Sequence, residues 1–144
     1  MRILHITSHI NLGGITSYVL SRAGAFIRRG HRGVIASGGG ALAERARSLG
    51  AELWPAPLNT SAEFSPPVFQ AAHRLLARAR EERVDLLHAH TRTAQVVADR
   101  LARRLAVPYV TTWHGFFRPN LGRRLWPCTG RLTIAISEPV RQHL

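Results

Sequence analysis

The sequence has 144 residues and no lysine: all 20 of its basic residues are arginine. It has one cysteine, Cys128, and only 8 acidic residues. Each scarcity excludes something. A lone thiol rules out an internal disulfide and a cysteine-ligated zinc, and it fits a cytosolic home best. Without lysine there is no phosphate-binding loop of the Gly-x-x-x-x-Gly-Lys kind. No apolar stretch is long enough to span a bilayer. The opening MRILHIT is too short for a secretory leader core and runs into a glycine turn, not a cleavage site. Gly-x-Gly-x-x-Gly is absent, and three glycines follow Ser37 where a ribose-binding acid would stand, so a standard NAD site is not expected. Gly-x-Ser-x-Gly is absent too, which excludes a nucleophile elbow.

What is present suffices for one domain. Apolar residues make up 45% of the chain, enough to bury a core without staples. The formal charge is +12. Preference for arginine over lysine is what coding bias produces, but the net excess calls for anions nearby, such as phosphates or acidic lipid headgroups. No helix-turn-helix, RNA-recognition or zinc-finger pattern accompanies it, so nucleic acid is not expected as a partner.

Strand and helix patterns alternate from end to end. Strands are expected at 2–7, 33–37, 51–54, 85–90, 108–113 and 132–136, each a short apolar run. Helices are expected at 15–29, 41–49, 67–82 and 93–105. Apolar stripes such as Val19, Leu20, Ala23, Phe26 and Ile27 recur there at helical spacing. Gly30 and Gly50 mark two helix ends, and Ser37 and Ser137 close strands, Ser137 as a candidate cap for one more helix. This alternation implies parallel strands joined by right-handed crossovers: an α/β, Rossmann-like, doubly wound sheet over residues 1–144.

Ligands of such sheets bind at the carboxyl ends of the strands. Those ends carry Ser8-His9 with Gly13-Gly14, then His88-Ala89-His90, Trp113-His114-Gly115 and Ser137-Glu138. Gly13-Gly14 can open a helix whose backbone N–H groups meet a phosphate, although a plain tight turn explains the pair equally well. His88 and His90, two apart on a strand, point the same way. They could begin a metal site, but no further ligand shows fitting spacing, and no metal is expected. His114, between an apolar strand and a glycine, is placed to enter the crevice. Arg118, Arg123 and Arg124 flank Phe116, Phe117 and Trp126, a mixture that suits nucleic acid, a membrane interface or simply solvated arginines around packed rings.

The pieces RILHIT, NLGGITSYVLSRAGAFIRRGH, DLLHAHT, PYVTTWHG and LTIAISEPVRQHL, in this order, resemble the N-terminal half of family 4, GT-B-type retaining glycosyltransferases. The resemblance implies that Gly13 and Gly14 lie against the donor diphosphate and sugar. It implies that His114, with Gly115 beside it, lines the reaction centre. His88 and His90 would lie close to the crevice floor, and Ser137 and Glu138 on the side facing the donor phosphates. It further implies a nucleotide-sugar donor as substrate, no cofactor, and a glycan or lipid-linked acceptor. A second, donor-binding domain would have to be supplied in cis or in trans. A cytoplasmic protein is expected, either free or held on the anionic inner face of the plasma membrane, and one that does not turn over with these residues alone. The competing expectation is a non-catalytic subunit of the same fold that recruits a partner enzyme to the membrane.

Overall fold

The computed structural model describes residues 1–116 and 121–143. β1 (Arg2–Ile6), α1 (Gly14–Arg28), β2 (Arg32–Ser37), α2 (Ala43–Ser48) and β3 (Glu52–Pro55) follow one another. Then come α3 (Pro66–Glu81), β4 (Leu86–Ala89), α4 (Arg92–Leu105), β5 (Tyr109–Trp113), α5 (Leu121–Leu125), β6 (Leu132–Ala135) and α6 (Glu138–His143). The strands form one sheet in the order β3-β2-β1-β4-β5-β6, and every pairing is parallel. The chain starts at the centre, winds outward to β3, crosses back through α3 and winds out the other way. The switch point therefore falls between β1 and β4, where a crevice opens at the strand ends.

Strand parity sorts the side chains onto two faces. Leu4, Ile6, Leu87 and Ala89 face α3 and α4 and join Trp54, Leu58, Val68, Leu75 and Leu101 in the larger core. Ile35 faces α1 and α2 and packs with Ile10, Val19, Leu20 and Ala23. His5 lies between Leu4 and Ile6 in sequence, so it points to this second face, and it is fully buried there.

Helix ends follow local chemistry in most places. Gly30 (φ 82°) and Gly50 (φ 87°) take the left-handed conformation just past α1 and α2. Ser65 precedes α3, which begins with Pro66-Pro67, where the missing N–H costs nothing. α4 ends on Ala106 at φ 56°, a left-handed residue that no glycine announces. α5 is also absent from the pattern of apolar spacing. Arg100, Arg103 and Arg104 are exposed on α4, as its stripe predicts. Among the described residues no helix is long and apolar enough to cross a membrane. Phe117, Arg118 and Leu144 lie outside the described residues.

Candidate functional site

The end of β1 is tied to its neighbours by hydroxyls and backbone. Ser8 Oγ donates to Thr91 Oγ1 at 2.9 Å and lies 3.2 Å from Thr93 Oγ1, which joins β1 to the start of α4. On the other side, Gly38 N donates to Ser8 O, Ile10 N to Gly39 O, and Leu42 N to Ile10 O. Asn11 Oδ1 accepts from Ala41 N at 3.0 Å. The glycine run after Ser37 therefore serves this contact: a Cβ on Gly40 would stand 2.5 Å from the Ile10 carbonyl carbon and 2.7 Å from Asn11 N.

That platform carries Gly13 and Gly14. Both are exposed, and a Cβ on either would meet nothing within 4 Å. No side chain caps α1, and its first turn holds no acid. The first N–H groups of the helix therefore face outward with their partial positive charge, the arrangement that accepts a phosphate.

A cavity of about 1070 Å³ opens beside this platform, lined by Ser8, His9, Asn11, the loop from Asn59 to Ser65, and Arg92, Thr93 and Arg123. Its walls are joined by an ion pair that sequence spacing does not reveal. Arg92, first residue of α4, pairs with Glu63, and both side chains are nearly buried. The same guanidinium donates to the carbonyls of Trp126 at 2.7 Å and Pro127 at 3.0 Å. One residue thus fixes both the β3–α3 loop and the segment after α5. Arg123 stacks over Trp113 at 5.1 Å on the same side. Nearby, Asp99 accepts from Tyr109 Oη, Trp126 Nε1 and Arg103 Nε at 3.0, 3.0 and 2.8 Å. Burial pushes the Asp99 carboxyl up, but these hydrogen bonds outweigh it and hold it below its usual range. Cys128 is buried, which pushes its thiol up to about 11 and leaves it a poor nucleophile.

His114, at the end of β5, is half-buried. Its ring meets Tyr18 of α1 edge-on, with centroids 5.0 Å apart and planes at 81°. Its Nε2 is buried and has no hydrogen-bond partner among the described residues. Burial lowers its pKa, so the ring is neutral at pH 7, able to donate or accept one hydrogen bond. Gly115 follows with no atom near a would-be Cβ. Ser137 and Glu138 are exposed beyond the edge strand, and Glu138 pairs with Arg141 at 2.5 Å. His88 lies in β4 and His90 directly after it, with the His90 ring 5.8 Å from that of His114. They are 4% and 2% exposed, under α1, and neither is among the residues lining the cavity. There they meet His5, whose Nδ1 lies 3.2 Å from His90 Nε2, while His88 Nε2 lies 2.8 Å from Thr112 Oγ1.

A parallel sheet in this strand order, with helices on both faces and its polar strand ends gathered at the switch point, is a Rossmann-like unit, and GT-B glycosyltransferases share it as one half of their fold. The similarity to solved structures bears this out. A glycosyltransferase from Rickettsia africae superposes with a TM-score of 0.81 at 21% identity, over 99% of this chain and 38% of that one. Anabaena HepE, solved with UDP-glucose, gives 0.71 at 19% identity, over 99% and 39%. MurG of Acinetobacter baumannii gives 0.66 at 10% identity, over 93% and 45%. At these identities the likeness is one of fold, and the chain spans about 38–45% of the length of these structures. The family is set by the sequence itself: residues 12–144 match Glycosyltransferase Family 4, and the chain belongs to that family. No protein of curated function matches the chain significantly.

Proposed function

We propose that this chain is the acceptor-side, N-terminal domain of a retaining glycosyltransferase. The whole enzyme moves a sugar from a nucleotide-sugar to a glycan or lipid-linked acceptor in bacterial cell-surface polysaccharide or lipopolysaccharide synthesis. The observation that carries this reading is the buried Nε2 of neutral His114, unpartnered among the described residues and set against α1, whose uncapped start bears Gly13-Gly14. An imidazole with a free buried nitrogen suits a sugar hydroxyl, and an uncapped helix start suits a diphosphate.

In the reaction the bond from the anomeric carbon to the diphosphate oxygen breaks and the acceptor oxygen bonds to that carbon. The acceptor proton passes to the departing phosphate. The growing charge on the leaving group is met by fixed dipoles and arginines, so the reading requires no cofactor. The Arg92–Glu63 cavity would hold the acceptor, and a second Rossmann domain, in cis or in trans, would supply most nucleotide contacts. Anabaena HepE was solved with UDP-glucose, which supports a nucleotide-sugar as the donor class here. Exposed Leu121 and Leu125 beside Arg123 and Arg124 suit an anionic membrane surface on the cytoplasmic side.

The test is sugar transfer by the product of the full coding frame, read beyond the codon for Leu144 and assayed with a panel of nucleotide-sugars on lipid-linked acceptors. We expect transfer with one donor, and a loss of about a hundredfold in kcat/KM for His114→Ala. No transfer and no donor binding across the panel, with capture of a partner enzyme instead, would favour the non-catalytic subunit. Wild-type rates in His114→Ala would remove the role assigned to that residue.

A further inference from the structure

The feature that the glycosyltransferase reading leaves unused is the histidine cluster under α1. His5 and His88 are paired in register on the two central strands, and His90 follows on the same face of β4. One ring nitrogen from each lies within 4.8 Å of the others. The ring centroids are 4.1 Å apart for His88–His90, 5.2 Å for His5–His88 and 5.4 Å for His5–His90. All three are 4% exposed or less.

The protein alone does not complete their hydrogen bonds. His5 and His90 share one contact, Nδ1 to Nε2. Whichever ring donates, one of the two outer nitrogens is left as a buried N–H and the other as a buried lone pair. Those atoms, His5 Nε2 and His90 Nδ1, have no partner among the described residues. In folded proteins such a gap on the outer side of a ring marks ordered water, whereas a metal would take the facing His5 Nδ1 and His90 Nε2. His88 is set up differently: with Nε2 donating to Thr112 Oγ1, its Nδ1 keeps the lone pair for a ligand.

We propose that His5, His88 and His90 hold a divalent transition metal ion, zinc by preference, that pins β1 to β4 beneath α1. Three neutral imidazoles are a zinc-type donor set. Two nitrogens about 2.0–2.1 Å from zinc at a tetrahedral angle stand about 3.4 Å apart, close to the His5–His90 gap. Burial and mutual repulsion keep the rings neutral near pH 7, so none has to lose a proton to bind. The ion is structural and does not line the cavity, although the His90 ring lies 5.8 Å from that of His114, and this inference does not rest on the transfer reaction.

The test uses the full-length protein stripped with a chelator, loaded with zinc chloride or cobalt chloride, and passed through gel filtration. We expect one metal per chain by mass spectrometry and the intense visible bands of four-coordinate cobalt. The melting temperature should rise by about 5–10 °C at free zinc a hundred times the dissociation constant. The zinc X-ray absorption spectrum should show three imidazole ligands. His5→Leu should abolish retention, whereas His73→Gln, on an exposed histidine of α3, should leave it intact. If His5→Leu fails to fold, the ligand number of the wild-type protein decides alone. No metal above the buffer level after gel filtration, fewer than three imidazoles, or zinc retained by folded His5→Leu would overturn the proposal and leave the cluster to ordered water.

Discussion

Two glycines in neighbouring loops show how one residue type serves unlike ends. Gly40 is required by contact: its would-be Cβ falls 2.5 Å from the Ile10 backbone, at φ 152°. Gly14 touches nothing, and its φ is ordinary. We predict that Gly40→Ala costs about 2–4 kcal/mol, a fall of roughly 10 °C in melting temperature, because backbone cannot move aside as a side chain does. Gly14→Ala should keep or slightly raise the melting temperature, since alanine is the better helix former. If Gly14→Ala nevertheless weakens donor binding by the full-length protein, the effect belongs to the ligand and not to the fold. Equal melting temperatures for Gly40→Ala and wild type would refute the close-approach account.

Between elements, Arg92 is the joint. It begins α4, pairs with Glu63 of the β3–α3 loop and donates to carbonyls after α5. Removing its charge would leave Glu63 nearly buried and uncompensated, a loss on the order of 3–5 kcal/mol. The damage should be local before it is global. In Arg92→Met, amide exchange should quicken in residues 56–65 and 121–127 while β1 and β4 stay protected. Adding Glu63→Gln should recover part of the stability, because the stranded charge is gone. Exchange that rises uniformly across the sheet would contradict the assignment of Arg92 as a loop clamp.

At the scale of the whole molecule, the buried histidines set the response to acid. Burial, reinforced by neighbouring imidazoles and by Arg22 of α1, lowers His5 to about 3 and His88 to about 4, with His90 also well below its ordinary value. In the unfolded chain each takes a proton near pH 6.5, so the unfolded state binds more protons as the solution acidifies. Stability is therefore fully present above about pH 6.5 and falls from about 6.5 down to about 4 for His88 and about 3 for His5, by about 1.4 kcal/mol per pH unit for each shifted ring. We predict metal-free unfolding midpoints in urea that drop steeply across that window, and a shallower drop in His5→Leu. A flat profile from pH 7 to 4.5 would mean that the three rings are protonated in the folded state. Among the described residues the charged groups acting on them are Arg22 and other imidazoles, and no carboxylate offsets the effect.

The amino-acid sequence determined what local geometry alone can decide. Apolar runs of strand length alternating with helical stripes dictated a parallel doubly wound sheet, and each strand lies within one residue of its expected bounds. Gly30 and Gly50 ended helices where a positive φ was needed, and strand parity put His88 and His90 on one face. His114 and Gly13-Gly14 stand where a strand or helix meets a loop, a placement that the flanking patterns imply. Tertiary structure decided the rest. His5 became the third member of the histidine cluster only because β1 pairs with β4, which joins residues 85 apart in the chain. The folding of two loops over α4 made Arg92 and Glu63 partners. Residue spacing records periods of two and 3.6; it holds no record of strand order or of which loops meet, since those are set by the burial the whole chain achieves together.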